Sequence, residues 1–305
     1  MKILSCRNAI DFASSITEVK KKDILFNIIS NFEDNEMLVT IPDYKDLRDE
    51  DVLVIQSLST NVNEALMELM FTLDLVNSSS PKSVKLLLTY MGYSRQDKQD
   101  RPQEAFSAKV IANILSLNYI KKIYVIDIHA GQTMGFFNIA AANIETDDII
   151  SELINKKLYN KNTVLVSGNY ENLKKIIFLS KELNLEYAIA LKYRPAASQN
   201  KILSTVGADV NGKDCIIIDD IIDSAGTIAD ISEQLFKHGA ETISAIVTHG
   251  ILSYKSIERI KNSKISKLFI SNTIDSREKI RYIKQVETFS ISNYALKNIM
   301  NDDVC

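Results

Sequence analysis

The chain has 305 residues, of which 46% are hydrophobic and 25% are charged. At roughly 150 residues per domain, this length predicts about two domains, and the composition excludes both a disordered chain and a small disulfide scaffold. The formal net charge of -3 gives no basic field that would attract nucleic acid or an anionic membrane.

The cysteine spacing and the hydropathy of the sequence indicate the cellular compartment of the protein. Cys6, Cys215 and Cys305 lie far apart, with no spacing typical of a disulfide framework or a zinc site. No apolar run approaches the length of a membrane helix, and the apolar patch in residues 1–6 is too short for a secretion signal. The sequence therefore predicts a cytoplasmic protein that binds neither nucleic acid nor membranes.

Short aliphatic runs of strand length alternate with amphipathic helical patterns along the chain. After a first strand in residues 1–6, the runs lie at residues 52–55, 84–88, 123–128, 164–166, 188–191, 216–218 and 243–247. The helical patterns lie at residues 63–74, 107–117, 149–158, 227–238 and 291–300. Because parallel strands need such crossovers, the alternation predicts an α/β fold with helices on both faces of parallel sheets.

A polar, acidic segment at residues 143–148 separates two halves of similar alternation. We expect an N-terminal domain of residues 1–144 and a C-terminal domain of residues 145–289, with the segment 290–305 returning to the first domain. The similarity of the halves suggests duplication of one α/β unit, although no repeat is visible residue by residue.

The strongest motif follows the aliphatic run at residues 216–218. It consists of three acids and a small-residue turn that opens a helix: Asp219, Asp220, Asp223, Ser224, Ala225, Gly226 and Thr227. Small side chains let backbone N–H groups converge on an anion at the positive end of the helix. A nucleotide P-loop is excluded because no Gly-Lys-Ser/Thr follows. A sugar phosphate fits better, since carboxylates accept hydrogen bonds from vicinal hydroxyls or face Mg²⁺ through water. A solvated acidic turn is the alternative.

This motif resembles the phosphoribosyl pyrophosphate signature of the type I phosphoribosyltransferase fold. The chain as a whole resembles the ribose-phosphate pyrophosphokinases through NFEDNE at 31–36, YSRQD at 93–97, DRP at 100–102, SAK at 107–109, DIHAGQ at 127–132, KYRP at 192–195 and TH at 248–249. The resemblance implies two similar doubly wound parallel-sheet domains and a homohexamer built from dimers. It also implies Mg²⁺-dependent transfer of the diphosphoryl group of ATP to ribose 5-phosphate, releasing AMP.

The resemblance assigns catalysis to Lys192 and Arg194, and it places ribose 5-phosphate against Arg194 and the motif at 219–227. The polar segment at residues 195–201 follows these two cations without strong periodicity, which is typical of a lid. A lid that closes over the transferring phosphorus would stabilise its charge and exclude water. From the residues alone, a pair of solvated surface cations fits equally well.

ATP is assigned by the resemblance to seven residues: Phe32, Asp34, Glu36, Arg95, Gln96, Arg101 and His129. The first three recur at every second position, so in an extended segment they would share one face, where adenine would stack in a pocket completed by a neighbouring subunit. An ordinary acidic turn is the alternative. Arg101 could instead pair with Asp97 or Asp100. His129 is also a candidate metal ligand, although a lone histidine is usually structural.

The sequence departs from the family pattern in one loop above all. Where the family has Ser-Pro-Asp-His-Gly-Gly, residues 167–172 read SGNYEN. Asn169 could still ligate Mg²⁺ through its amide oxygen, with one negative charge fewer. Tyr193 replaces a usual arginine and Asn35 a usual glycine.

These departures keep two rival functions open. One is a non-catalytic regulatory subunit that still binds the ligands, and the other is a phosphoribosyltransferase that consumes the activated sugar. The presence of Lys192 and Arg194 beside a complete 219–227 motif favours the enzyme.

Overall fold

The computed structural model describes residues 1–99, 101–117, 119–169, 171–193 and 202–302, and only the backbone of residues 191–193 and 202–205. The chain forms two compact units. Unit 1 comprises Met1–Glu145, Asn272–Asp275 and the described residues from Ser290 onward, and unit 2 comprises Thr146–Ser271 and Ser276–Phe289.

Unit 1 is built on a parallel sheet. Its strands are β1 (Lys2–Ser5), β2 (Ile24–Phe26), β5 (Asp51–Ser57), β6 (Ser83–Tyr90), β7 (Lys122–Ile126) and β8 (Ala141–Ile144), in the order β2-β1-β5-β6-β7-β8. A separate antiparallel hairpin is formed by β3 (Ile28–Asn31) and β4 (Met37–Thr40). The helices between these strands are α1 (Ile10–Ser14), α2 (Val62–Ser78) and α3 (Ser107–Ser116).

Unit 2 carries a second sheet in the order β11-β10-β9-β12-β13-β14-β15, in which only the pairing of β10 with β11 is antiparallel among the described strands. The strands are β9 (Thr163–Ser167), β10 (Glu186–Tyr193), β11 (Ile202–Gly207), β12 (Asp214–Ile222), β13 (Thr242–Gly250), β14 (Lys267–Ser271) and β15 (Val286–Phe289). The helices are α4 (Asp147–Lys157), α5 (Leu173–Leu183), α6 (Gly226–Lys237), α7 (Tyr254–Asn262) and α8 (Arg277–Ile280).

The last helix, α9 (Ser292–Asn301), belongs to unit 1. The hydroxyls of Ser292 and Ser15 lie 2.7 Å apart, and the hydroxyl of Tyr294 donates to the carbonyl of Glu145 at 2.9 Å. The chain therefore crosses into unit 2 and returns to unit 1 with α9.

The aliphatic runs form strands because both faces of each sheet are covered. In β9, Val164 and Val166 join a buried cluster with α6 and α7, whereas Leu165 joins a second cluster with α4 and α5. Successive side chains of a strand point to opposite faces, so a run that is apolar at every position requires a helix layer on each side. The predicted α/β class with doubly wound parallel sheets is confirmed.

Both sheets follow the same winding. The first strand, β1 or β9, is flanked on one side by the next parallel strand, β2 or β10, and the chain then returns to the other side. The change of direction falls between β1 and β5 in unit 1 and between β9 and β12 in unit 2. Ligands of open α/β sheets bind at the carboxyl ends of the strands beside such a switch point.

Several strands end elsewhere than the sequence predicts, and β7 and β12 differ in opposite directions. β7 stops at Ile126 because Asp127 takes a left-handed conformation with φ 43°, and the N–H of Ile128 then bonds to the side chain of Asn143 at 2.9 Å. His129 therefore lies beyond the strand in a connecting loop. β12, in contrast, continues to Ile222 because it remains paired with β13.

β10 is also longer than predicted. Lys192 and Tyr193 lie inside this strand because they pair with Leu203 and Ile202 of β11, an edge strand that the sequence did not predict.

The two cysteines in the described part of the chain, Cys6 and Cys215, are free and buried. Burial raises the pKa of both thiols, that of Cys215 to about 12. No helix within the described ranges has the length and apolar character needed to cross a membrane.

Candidate active site

Two adjacent carboxyl groups are buried at the switch point of unit 2. Asp219 and Asp220 lie near the carboxyl end of β12 and are only 7% and 5% exposed. Burial, together with the neighbouring Asp220 carboxylate, raises the pKa of Asp219 well above its usual range. Buried carboxyl groups of this kind are tolerated only where hydrogen-bond donors surround them.

Two asparagines in the loop after β9, the neighbouring strand, supply such donors. The amide Nδ2 of Asn172 donates to Oδ1 of Asp219 at 2.8 Å and to Oδ1 of Asp220 at 3.2 Å. Nδ2 of Asn169 donates to the same Asp219 oxygen at 3.0 Å, and the backbone N–H of Asp220 adds a third donor at 3.1 Å. One carboxylate oxygen thus accepts three hydrogen bonds.

The loop itself is held by local hydrogen bonds. Oδ1 of Asn169 accepts from the backbone N–H of Asn172 at 2.9 Å, and the hydroxyl of Ser167 donates to the carbonyl of Asn169 at 2.6 Å. The loop approaches so closely that a Cβ on Gly168 would lie 3.3 Å from Oδ2 of Asp219. Asn169 therefore turns its amino group toward the acids, whereas the sequence prediction assigned its oxygen to a metal.

The small-residue turn forms an uncapped helix start. Ala225 is the N-cap of α6 in a left-handed conformation with φ 59°, which for a non-glycine residue costs about 1 kcal/mol or more, and no side chain caps the helix. Its methyl group is buried in the core, while Ser224 and Thr227 are exposed. The first N–H groups of a helix have no intrahelical partner, so this turn offers donors at the positive end of α6.

Two cations beside this turn were missed by sequence reasoning. Nη1 of Arg259, from α7, donates to the carbonyl of Ser224 at 2.9 Å and would lie 3.3 Å from a Cβ on Gly226. Lys279, from α8, donates to the carbonyl of Ile251 at 2.6 Å; its burial lowers its pKa, and the Asp223 carboxylate opposes that shift. Nothing in the local sequence distinguishes either residue from an ordinary surface cation.

The predicted catalytic cations are only partly described. The backbone of Lys192 lies in β10, opposite Leu203 of β11. The side chain of Lys192, all of Arg194 and the predicted lid at residues 195–201 lie outside the described residues.

The first group of predicted ATP residues does not form an extended segment. Residues 32–36 make the turn of the β3–β4 hairpin, with the N–H of Phe32 bonded to the carbonyl of Glu36 at 2.9 Å. The Asp34 carboxylate accepts from the N–H of Glu36 at 3.0 Å, so the three side chains do not alternate along a strand. Asn35 occupies the left-handed position of the turn with φ 69°, where a glycine is also suited. Phe32 is 57% exposed at this tip.

The remaining ATP residues lie in loops that follow β6 and β7. Gln96 supports the start of α3, since its side-chain oxygen accepts from the hydroxyl of Ser107 at 2.5 Å. The amide of Gln132 donates to Asp97 at 3.0 Å and so joins this loop to the turn beside His129.

Arg95 and Arg101 are both exposed on the loop after β6. Asp100, one of the two aspartates predicted to pair with Arg101, lies outside the described residues. The Arg101 guanidinium lies 3.9 Å from the carboxylate of Glu104. Such an exposed ion pair contributes little to stability and leaves the guanidinium available. Among the residues that the structure describes, no three His, Cys, Asp or Glu side chains are grouped to hold a metal ion.

Comparison with known proteins identifies the family. The family model described as the N-terminal domain of ribose phosphate pyrophosphokinase matches residues 1–117, and the phosphoribosyl synthetase-associated domain matches residues 179–304. The ribose-phosphate pyrophosphokinase of Granulibacter bethesdensis is 33% identical over 96% of this chain and 93% of its own. That of Hyphomonas neptunium is 32% identical over 99% and 97%. The chain belongs to the ribose-phosphate pyrophosphokinase family.

The fold agrees with this assignment. A crystal structure of phosphoribosylpyrophosphate synthetase from Mycobacterium smegmatis superposes with a TM-score of 0.86, covers 99% of both chains and shares 24% sequence identity. Within this pyrophosphokinase family fold, the acid pair and the uncapped start of α6 lie on one strand–turn–helix unit, in the position where the sequence motif predicts a sugar phosphate.

The raised pKa of Asp219 has a consequence for stability. A carboxyl group that holds its proton more tightly in the folded than in the unfolded state contributes most in acid, and this contribution is lost as pH rises through the folded-state pKa. Asp219→Asn cannot ionise and keeps the acceptor oxygen, so the melting temperature of the variant relative to the parent should increase from pH 5 to pH 8.

Calorimetric melting across this pH range measures the effect. Asp148→Asn, at an exposed position near the start of α4, is the matched control and should show a constant difference. A difference for Asp219→Asn that is equally constant would contradict the buried acid described above.

Proposed function

We infer that this protein is a ribose-phosphate pyrophosphokinase that makes phosphoribosyl pyrophosphate. The anomeric hydroxyl of ribose 5-phosphate would attack the β-phosphorus of ATP, the bond from that phosphorus to the AMP oxygen would break, and the hydroxyl proton would be released. Family membership over nearly the whole chain supports this reaction. The observation that carries it is the buried acid pair followed by the uncapped start of α6.

Ribose 5-phosphate fits these two features together. Its phosphate would accept hydrogen bonds from the N–H groups of residues 224–227 at the positive end of α6, with the hydroxyls of Ser224 and Thr227 as further donors. Its vicinal hydroxyls would donate to the carboxyl oxygens of Asp219 and Asp220. Arg259 would hold the carbonyl side of the turn, so that the N–H groups keep their orientation.

Diphosphoryl transfer asks the protein mainly for alignment and for stabilisation of charge on the transferring group. We propose that Lys192, at the end of β10, and Arg194, two residues later in the sequence, supply this charge. We assign the adenine to Phe32, Asp34 and Glu36 at the exposed hairpin tip, and the phosphates of ATP to Arg95, Gln96, Arg101 and His129.

The reaction is proposed to require Mg²⁺ as the partner of ATP. Mg²⁺ is usually held by substrate phosphates and only one or two protein groups. Such a site needs no cluster of three His, Cys, Asp or Glu side chains, and the described residues contain none. Of the two predicted protein ligands, His129 is compatible with this arrangement. Asn169 is not, because it presents N–H groups to the acids.

We also propose a cytoplasmic location and, from the family resemblance, a homohexamer built from dimers. The exposed Phe32 supports an adenine pocket completed by a neighbouring subunit.

The direct test is incubation of the purified protein with ATP, ribose 5-phosphate and Mg²⁺. AMP and phosphoribosyl pyrophosphate should appear in equal amounts by chromatography, and omission of either substrate should abolish both. Tight binding of the substrates without AMP would instead identify the regulatory subunit, and AMP-free conversion of preformed phosphoribosyl pyrophosphate with a base would identify a phosphoribosyltransferase.

Lys192→Ala tests the assignment of transition-state charge. We expect kcat to fall by about a hundredfold or more, with the KM for ribose 5-phosphate changed less than about threefold, because the cation would act only on the transferring group. Lys181→Ala, at an exposed lysine of α5, is the matched control. Equal losses in kcat and in ribose 5-phosphate affinity would reject the assignment.

Arg259→Ala tests the support of the turn at residues 224–227. Loss of a charge-assisted hydrogen bond to the Ser224 carbonyl should raise the KM for ribose 5-phosphate about tenfold, equivalent to about 1.4 kcal/mol, while the KM for ATP stays the same. Lys261→Ala removes an exposed cation from the same helix and should change neither constant. An increase confined to the KM for ATP would show that Arg259 acts elsewhere.

A further inference from the structure

The loop at residues 167–172 presents hydrogen-bond donors where a metal ligand was expected. An asparagine side chain can ligate Mg²⁺ only through its amide oxygen. The oxygen of Asn169 accepts the backbone N–H of Asn172 at 2.9 Å, and a backbone N–H can only donate, so this contact fixes the orientation of the amide. The amino group is then the part that faces Asp219, at 3.0 Å from its Oδ1.

Asn172 supplies the second group of donors. It occupies the N-cap of α5, where an asparagine usually accepts a hydrogen bond from the helix, yet its side chain makes no such cap. The side chain instead lies buried against the acids and donates to Asp219 at 2.8 Å and Asp220 at 3.2 Å. Oδ1 of Asp219 already accepts hydrogen bonds from Asn169 and from the backbone N–H of Asp220, so it is an acceptor and the amino group of Asn172 is the part that meets it.

These two side chains, here called the amide pair (Asn169 and Asn172), meet the same electrostatic need as a cation. Two adjacent buried carboxylates repel each other, and positive charge or hydrogen-bond donors beside them reduce this repulsion. Nδ2 of Asn172 bridges one oxygen of each carboxyl group, and Nδ2 of Asn169 adds a further donor on Asp219. Neutral donors thus occupy the side of the acid pair that faces the loop.

We propose that the amide pair replaces a metal ion in positioning Asp219 and Asp220 for the hydroxyls of the sugar, so that the ribose 5-phosphate site of this protein works without a cation bound at position 169. The proposal rests on the proposed function for the identity of the sugar. The Mg²⁺ requirement of the reaction then belongs to ATP alone.

The first experiment measures metal binding without substrates. Mn²⁺ is titrated by electron paramagnetic resonance against the parent protein and Asn169→Asp, which would place a third carboxylate beside Asp219. We expect Asn169→Asp to bind one more Mn²⁺ per chain than the parent and to gain melting temperature with Mn²⁺. Asn262→Asp, the same change at an exposed position of α7, should gain neither.

Two results of this titration would overturn the proposal. One is a Mn²⁺ ion that the parent protein binds and Asn169→Ala loses, because that ion would need the amide oxygen. The other is an Asn169→Asp variant that binds no additional ion. Neither result depends on turnover, so the titration remains decisive even if the protein forms no AMP.

The second experiment tests whether the side chain at position 172 must donate hydrogen bonds to the acids. Asn172→Ala removes the donors, and Asn172→Asp keeps the shape but presents an acceptor to two carboxyl groups. We expect ribose 5-phosphate affinity, measured by calorimetry, to fall at least tenfold in Asn172→Ala and further in Asn172→Asp, with ATP affinity unchanged in both.

A merely structural role would give the opposite order. Aspartate has the size of asparagine and is a favourable N-cap at the positive end of a helix, so Asn172→Asp should then fold and bind better than Asn172→Ala. That order, or a parallel loss of ATP affinity, would overturn the proposal.

Discussion

The candidate site of unit 2 is organised around the burial of two adjacent carboxyl groups. Asp219 and Asp220 sit in a strand covered on both faces, where an ionised carboxylate without partners would be strongly unfavourable. The surrounding elements supply hydrogen-bond donors to these carboxyl groups. The loop after β9 provides amide donors, and β12 itself provides the N–H of Asp220. The acids lie on β12 and the amide donors follow β9. These two strands are neighbours because the winding changes direction between them, and this adjacency brings the acids and the donors together.

The same winding appears in both units, and one feature of the backbone recurs with it. β5 of unit 1 corresponds in strand order to β12 of unit 2, and each leads into a long helix through a left-handed residue at the N-cap, Asn61 with φ 47° before α2 and Ala225 with φ 59° before α6. No residue-level repeat accompanies this correspondence. Gln56 and Ser57 end β5, whereas Asp219 and Asp220 lie near the end of β12, so the acids belong to unit 2 alone at this position.

The sequence predicted the fold better than it predicted the site, for physical reasons. Aliphatic runs such as residues 216–218 determine strands because burial on both faces is a local property of the chain. A contact such as that of Arg259 with the Ser224 carbonyl joins residues far apart in the chain, and α7 looks like any surface helix until the sheet is assembled. The alternation of Phe32, Asp34 and Glu36 would place the three side chains on one face only in an extended segment. Asn35 instead turns the backbone within this segment. The roles of Lys192 and Arg194 stay predictions.

The loop at residues 167–172 shows why single substitutions can be misread from sequence. Taken one at a time, asparagine at 169 is a lost ligand charge and asparagine at 172 is a lost glycine, and both suggest a weakened enzyme. In the structure each depends on the other, since the N–H of Asn172 holds the Asn169 oxygen and thereby turns the Asn169 amino group toward Asp219. The two departures are therefore one change. It exchanges an ionic support of the acid pair for a neutral one, and the acids themselves, the uncapped start of α6 and the cation at Arg259 can all remain in place.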